Sequence, residues 1–150
     1  MPVYRKILVV LDLTDDSEAV AGRAMEIAAA SGCASPQLLH VVEYVPVEPL
    51  TDSLLPAVQI ESELLERARE RMQSMARRLS TPPLPWKVEA GNVKAEILRF
   101  ARAGVFDLIV IGSRERHGLS ILVNLTEDTV LHAAPCDVLA VRLSGARPGT

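Results

Sequence analysis

The feature that most constrains this chain is an alternation. Short uninterrupted aliphatic runs are each followed by a stretch whose apolar residues recur at helical spacing. Ile7-Leu-Val-Val-Leu11 is the first run. A strand with no apolar–polar alternation is one covered on both faces. Thr14-Asp-Asp-Ser17 then offers N-cap candidates, Val20, Ala24, Ile27 and Ala28 mark a helix, and Gly32 supplies its stop. Gln37 to Val42 reads as the second strand, and Ile60 to Leu79 as a long helix with the stripe Leu64, Ala68, Met72, Met75 and Leu79 inward. Trp86-Lys-Val-Glu-Ala90 alternates and predicts a half-exposed strand. Gly91 opens a turn into a helix from Lys94 to Arg102, with Ile97, Leu98 and Ala101 inward and Gly104 as its stop. Phe106 to Ile111 is the fourth strand, and a Gly112-Ser113 turn follows it. Thr126 to Ala133 reads as a helix ended by Pro135, and Val138-Leu-Ala-Val141 as the last strand.

Strands and helices in strict succession, joined by short connections, require parallel pairing through right-handed crossovers. The expected fold is a three-layer α/β/α sandwich around a five-stranded parallel sheet in the order 3-2-1-4-5. A single domain is expected over 1–143, with 144–150 a flexible tail. The order reverses between strands one and four, which opens a crevice at their carboxyl ends. Asp12-Leu-Thr14 and Gly112-Ser-Arg114 point toward it, so fold logic places a ligand there without naming it.

Composition narrows the partners. Aromatic residues make up only 3% of a chain that is 49% hydrophobic, so the core is aliphatic and no base-stacking platform is available. With 16 Lys+Arg against 19 Asp+Glu, the net charge of −3 gives no electrostatic footprint for nucleic acid or anionic lipid. No apolar run has the length of a membrane span. Cys33 and Cys136 form no CxxC pair and read as reduced, mostly buried thiols of a cytosolic protein. Between Glu43 and Pro56, Pro46, Pro49 and Pro56 argue against a regular helix, so a long loop is expected.

Few residues suit catalysis. Asp12 can contact a ribose, bind a metal or cap the following helix, but no second acid, His or Lys can be paired with it. His40 lies within an apolar strand and reads as a satisfied core residue. His117 and His132 show no metal-ligand spacing. Ser113 lacks the glycines of a nucleophile elbow. Gly112, Gly118, Arg114, Arg116 and the region Asn124-Leu-Thr126 offer material for a phosphate site, yet there is neither a Walker sequence nor GxGxxG.

Taken together, these segments resemble the universal stress protein A family, in its proteobacterial wording. Ile7-Leu-Val-Val-Leu-Asp-Leu13 looks like its opening strand and Asp, and Leu39-His-Val41 like its second strand. Arg116-His-Gly-Leu119, Thr129-Val-Leu-His132 and Ala134-Pro-Cys-Asp-Val-Leu-Ala-Val-Arg142 carry the densest match. The resemblance implies a Rossmann-like or flavodoxin-like sandwich, a cytoplasmic homodimer paired through the last strand (Val138, Leu139, Ala140 and Val141), and a role in stress survival with unknown protein clients. It implies no nucleic acid and no membrane partner, no catalysis, and no required cofactor, with ATP or AMP the candidate ligand.

Carried over residue by residue, Asp12 matches the ribose-contacting Asp and Val41 an adenine-packing residue, while Ile111 and Gly112 match the wall after strand four. The family's second glycine is Glu115 here, and its later Gly-Ser pair falls on Asn124-Leu125, with Thr126 adjacent. A carboxylate about 5 Å from a phosphate charge costs on the order of 3 kcal/mol at an effective dielectric of ~20. Leu125 cannot donate a hydroxyl. Arg114 and Arg116 offset part of the repulsion. These replacements weigh against tight ATP binding and predict a degenerate adenine-nucleotide site. The alternative is an ATP- or AMP-binding switch with at most slow hydrolysis. A hydrolase or transferase would need an acid–base pair that the sequence does not offer. An uncovered apolar edge at the last strand invites an antiparallel copy across a two-fold axis.

Overall fold

In the computed structural model, which describes residues 3–33, 35–43, 54–114, 130 and 132–143 (the backbone alone for 54–60 and 114), β1 (Ile7–Val10) is buried along its whole length. Its residues divide between two cores. Ile7 and Val9 pack on one face with α1 (Ser17–Ser31) and α2 (Leu54–Leu79). Leu8 and Val10 pack on the other with α3 (Val93–Ala103) and Val130. This is why the first run is aliphatic without a break. Fully burying one such side chain contributes roughly 1.5–3 kcal/mol.

The sheet is completed by β2 (Gln37–Glu43), β3 (Trp86–Gly91), β4 (Leu108–Arg114) and β5 (Asp137–Leu143), in the order β3-β2-β1-β4-β5. Every pairing is parallel. The predicted sandwich and strand order are therefore observed. Val10 is in register with Ile111, which brings the ends of β1 and β4 together at the point where the strand order reverses.

Gly32 closes α1 in the left-handed conformation (φ 78°), as expected from its sequence position. Three other expectations are corrected. The segment Gly112-Ser113-Arg114 is not a turn: it continues β4, because β5 runs on to Leu143 and supplies ladder partners in Val141, Arg142 and Leu143. The inward stripe of α2 runs through Leu65, Ala68, Met72, Met75 and Ala76, while Leu64 is exposed. Ala68, Met72, Met75 and Leu79 face the core as predicted, and Leu65 and Ala76 broaden the stripe on the side away from Leu64. The loop preceding α2 ends earlier than Pro56, since α2 begins at Leu54. A proline in the first turn loses no intrahelical hydrogen bond, so it is tolerated there. Gly104 caps α3 as expected; it is right-handed (φ −85°), and the left-handed residue that follows is Val105 (φ 53°). Gly104 answers a different demand, because a Cβ on it would lie 2.3 Å from the ring of Phe106, which stacks on Phe100.

Val130, His132 and Ala133 are helical, and the bond from Ala134 N–H to Val130 C=O (2.9 Å) closes that turn ahead of Pro135. The rest of the helix expected over 126–133, most of the 43–56 loop and the 144–150 tail lie outside the described residues. Among the described residues no helix is long and apolar enough to cross a membrane.

Candidate functional site

The site is organised around the short connection from β1 to α1. Asp12 Oδ1 accepts three hydrogen bonds, from Thr14 N–H (3.0 Å), Thr14 Oγ1 (2.7 Å) and Ser17 Oγ (3.1 Å). An aspartate that bonds a backbone N–H two residues ahead makes an Asx turn, which suits an abrupt strand end. Ser17 is buried, so its hydroxyl needs this partner. The helix cap itself is Asp16, whose side chain makes no capping bond. Asp12 therefore shapes the loop rather than capping α1, while remaining an exposed residue at the head of the crevice.

The backbone around Asp12 is fixed on both sides. His40 of β2 places Nδ1 2.6 Å from the Leu11 carbonyl. That acceptor puts the proton on Nδ1. Burial lowers the His40 pKa from its ordinary value of 6.5 and Arg71 adds to the lowering, against the Leu11 carbonyl and Asp12, which raise it. Beyond Asp12, Leu13 is left-handed (φ 59°) and buried, and its carbonyl accepts a hydrogen bond from Arg71 Nη2 of α2. His40 is a satisfied, half-buried histidine, as its strand position suggested.

Val41 of β2 and Ile111 of β4 lie on either side of β1. Both are buried in the cluster that contains Val10, Ile97 and Val130, and they form an apolar floor on the α3 side of the sheet. Gly112 has a packing role. A Cβ there would lie 2.9 Å from Leu143 Cδ1 and 3.2 Å from Val20 Cγ2, so the glycine lets α1 and β5 close over β4. Arg114 is the last residue of β4, in register with Leu143. Arg116, Asn124, Leu125 and Thr126, together with Glu115, lie outside the described residues.

The charge at the start of α1 has one sign. Asp12, Asp15, Asp16 and Glu18 crowd its first turn and approach, where the helix N-terminus attracts anions. Carboxylates already answer that attraction, so a phosphate would meet repulsion on this side. Glu18 is paired with Arg78 of α2 at 2.6 Å. A cavity of about 460 Å³ opens between the two helices, against Leu13, Thr14, Glu70, Arg71 and Arg78. It lies on the α1–α2 side, opposite the Val41–Ile111 floor. Among the described residues no cluster of His, Cys, Asp and Glu could hold a metal ion. Cys33 and Cys136 are free and half-buried, and burial, with Asp137 and Asp107, raises the Cys136 thiol pKa.

Sequence reasoning missed the partners of Asp12. The spacing Asp12-x-Thr14-x-x-Ser17 carried the signal for Thr14 and Ser17. Arg71, which holds the Leu13 carbonyl next to Asp12, left no such signal, since it reaches Leu13 across 58 positions of chain.

A family model described as the universal stress protein family matches residues 3–142. Universal stress protein A homolog 2 of Coxiella burnetii is 36% identical over 146 residues, covering 97% of this chain and all of the relative (100%). Homolog 1 of the same organism is 33% identical over 139 residues, covering 92% and 96%. Among solved structures, the universal stress protein UspA from Lactobacillus plantarum superposes with a TM-score of 0.70 at 27% identity, covering 93% of this chain and 98% of that one. A universal stress protein solved in complex with cAMP shares the fold, with a TM-score of 0.59 at 23% identity over 92% of this chain and 96% of that one.

Proposed function

Because this chain belongs to the universal stress protein family, we propose that it is a non-catalytic, cytoplasmic stress-response protein that acts as a homodimer and binds an adenine nucleotide weakly at a degenerate site. The observation that carries the nucleotide reading is Asp12, held by Thr14 and Ser17 at the carboxyl end of β1, where the strand order reverses. A carboxylate in that place is suited to accept hydrogen bonds from ribose hydroxyls. Val41 and Ile111, on the apolar α3 side of the sheet, are the residues we assign to the base. A related fold solved with cAMP supports the same ligand class.

Degeneracy follows from the phosphate side. Gly112 is committed to packing against Leu143 and Val20, and the start of α1 is acidic. Glu115 and Leu125 replace the glycine and hydroxyl of the family pattern. The adenosine half of the site is therefore better provided than the triphosphate half, and AMP is the favoured nucleotide over ATP. Arg114 and Arg116 supply the basic groups for a single phosphate.

The homodimer reading rests on β5, an edge strand carrying Val138, Leu139, Ala140 and Val141. Calorimetric titration with AMP, ATP and cAMP, with and without magnesium, tests the ligand. Binding of AMP more tightly than ATP is expected. Absence of heat with all three would remove the nucleotide and leave a protein-binding role, and magnesium-dependent turnover of ATP would overturn the non-catalytic reading.

A further inference from the structure

The carbonyls on either side of Asp12 are each bound by a side chain from a different element. His40 of β2 donates to Leu11 C=O and Arg71 of α2 donates to Leu13 C=O. Both donors lie on the α1–α2 side of the sheet, away from the Val41–Ile111 floor. Leu13 needs such a restraint. A left-handed conformation is unfavourable for a non-glycine residue, and Leu13 also has to keep its side chain in the core. Release of its carbonyl would let φ relax to the right-handed side. The peptide after Asp12 would then turn, and Thr14 N–H would leave Asp12 Oδ1.

We propose that His40 and Arg71 are positioning residues that clamp the Leu11 and Leu13 carbonyls and so aim the Asp12 carboxylate at the ribose of a bound nucleotide. The clamp rests on the reading that Asp12 contacts ribose, and it adds the residues that make the contact selective. It works from behind the site: neither side chain needs to touch the ligand. Its consequence falls on sugar recognition, because the clamping bonds are made on the α1–α2 side of the sheet while Val41 and Ile111 lie on the α3 side.

The test compares AMP with 2′-deoxy-AMP on the full chain. Wild-type protein is expected to prefer AMP by roughly tenfold or more, the worth of one hydrogen bond to a carboxylate. Arg71→Met and His40→Phe are expected to shrink that preference toward unity while leaving the affinity for 2′-deoxy-AMP within about twofold. Arg71→Lys keeps a donor and restores part of the preference. Arg78→Met, on the same helix but bonded to Glu18, leaves it unchanged. A general structural weakening would reduce both affinities together, and that result, or an unchanged preference in Arg71→Met, overturns the clamp.

Amide hydrogen exchange gives an arm that needs no ligand. Thr14 exchange is expected to accelerate about tenfold in Arg71→Met while Val9 and Ile109 in the sheet stay protected. If wild-type protein binds neither nucleotide, the ribose reading fails on its own, and the Thr14 amide alone decides whether the clamp exists. Unchanged Thr14 exchange there overturns it.

Discussion

Gly112 of β4 faces Leu143 of β5 so closely that a Cβ on the glycine would lie 2.9 Å from Leu143 Cδ1, with Val20 Cγ2 of α1 at 3.2 Å. No real Cβ is found at the first distance, so a side chain must move. Leu143 can swing its terminal methyl, but it is buried, and Val20 is stiff about χ1. Gly112→Ala is expected to destabilise the protein by about 1–3 kcal/mol, read as a lower urea midpoint at unchanged m-value. The Leu143→Ala variant should accept the alanine at lower cost. A double-mutant cycle then gives a coupling of about 1 kcal/mol between the two positions, and simple additivity would show that the crowding is relieved elsewhere.

That glycine illustrates how far the sequence could be read. The Ile7–Leu11 run announced a strand buried on both faces, and the strand–helix alternation sufficed for the sheet order, because each signal is local and each constraint is general. Gly112 was legible as a glycine at the right place but not for its reason, since Leu143 and Val20 are distant in sequence. Leu64 and Leu65 are adjacent, and periodicity alone could not decide which of them faces the sheet. Asp12 was visible from its position at the end of a strand. Its hold on Thr14 and Ser17 was readable from spacing, whereas Arg71 had to be brought by the docking of α2. The positions expected to meet phosphate between 115 and 126 lie outside the described residues.

Val105 follows α3 with φ 53° and a largely exposed side chain, 77% accessible. A β-branched residue pays more than most for this conformation, and solvent exposure means that little packing compensates it. Asparagine tolerates the left-handed region without the chain entropy that glycine adds to the unfolded state. Val105→Asn is expected to stabilise the protein by about 1 kcal/mol, a rise in Tm of roughly 2–4 °C for a chain of this size. Thermal unfolding followed by circular dichroism measures it, and a lower Tm would mean that the Val105 side chain has a packing partner.

His40 gives a pH dependence with a defined sign. Burial depresses its pKa in the native state below the ordinary value of 6.5, with Arg71 acting the same way and the Leu11 carbonyl and Asp12 opposing. Between the native value and 6.5 the unfolded chain binds a proton that the folded one does not. Stability therefore rises with pH through this window, is complete above about 6.5 and falls as the solution is acidified. Carboxylates titrate lower and contribute their own slope, so the comparison is with His40→Gln. The variant is expected to lose less stability than wild type between pH 7 and pH 5.5. Equal losses would place the His40 pKa at the same value in both states.

The proposed homodimer places β5 at its seam. Val138, Leu139 and Val141 are half-buried and Ala140 is exposed on β5, the edge strand of the sheet among the described residues, and an edge strand is a template for pairing with a second copy. An antiparallel pair across a two-fold axis would bring each Ala140 near its own symmetry mate or a close neighbour, so a single charge there is introduced twice. Ala140→Lys places like charges across the seam and keeps the exposed position soluble in the monomer. Wild-type protein is expected to sediment as a dimer at micromolar concentration, and Ala140→Lys to weaken dimerisation at least about tenfold without lowering Tm in the dissociated range. A wild-type monomer at those concentrations would refute the dimer. A dimer that ignores the lysine would move the interface away from β5.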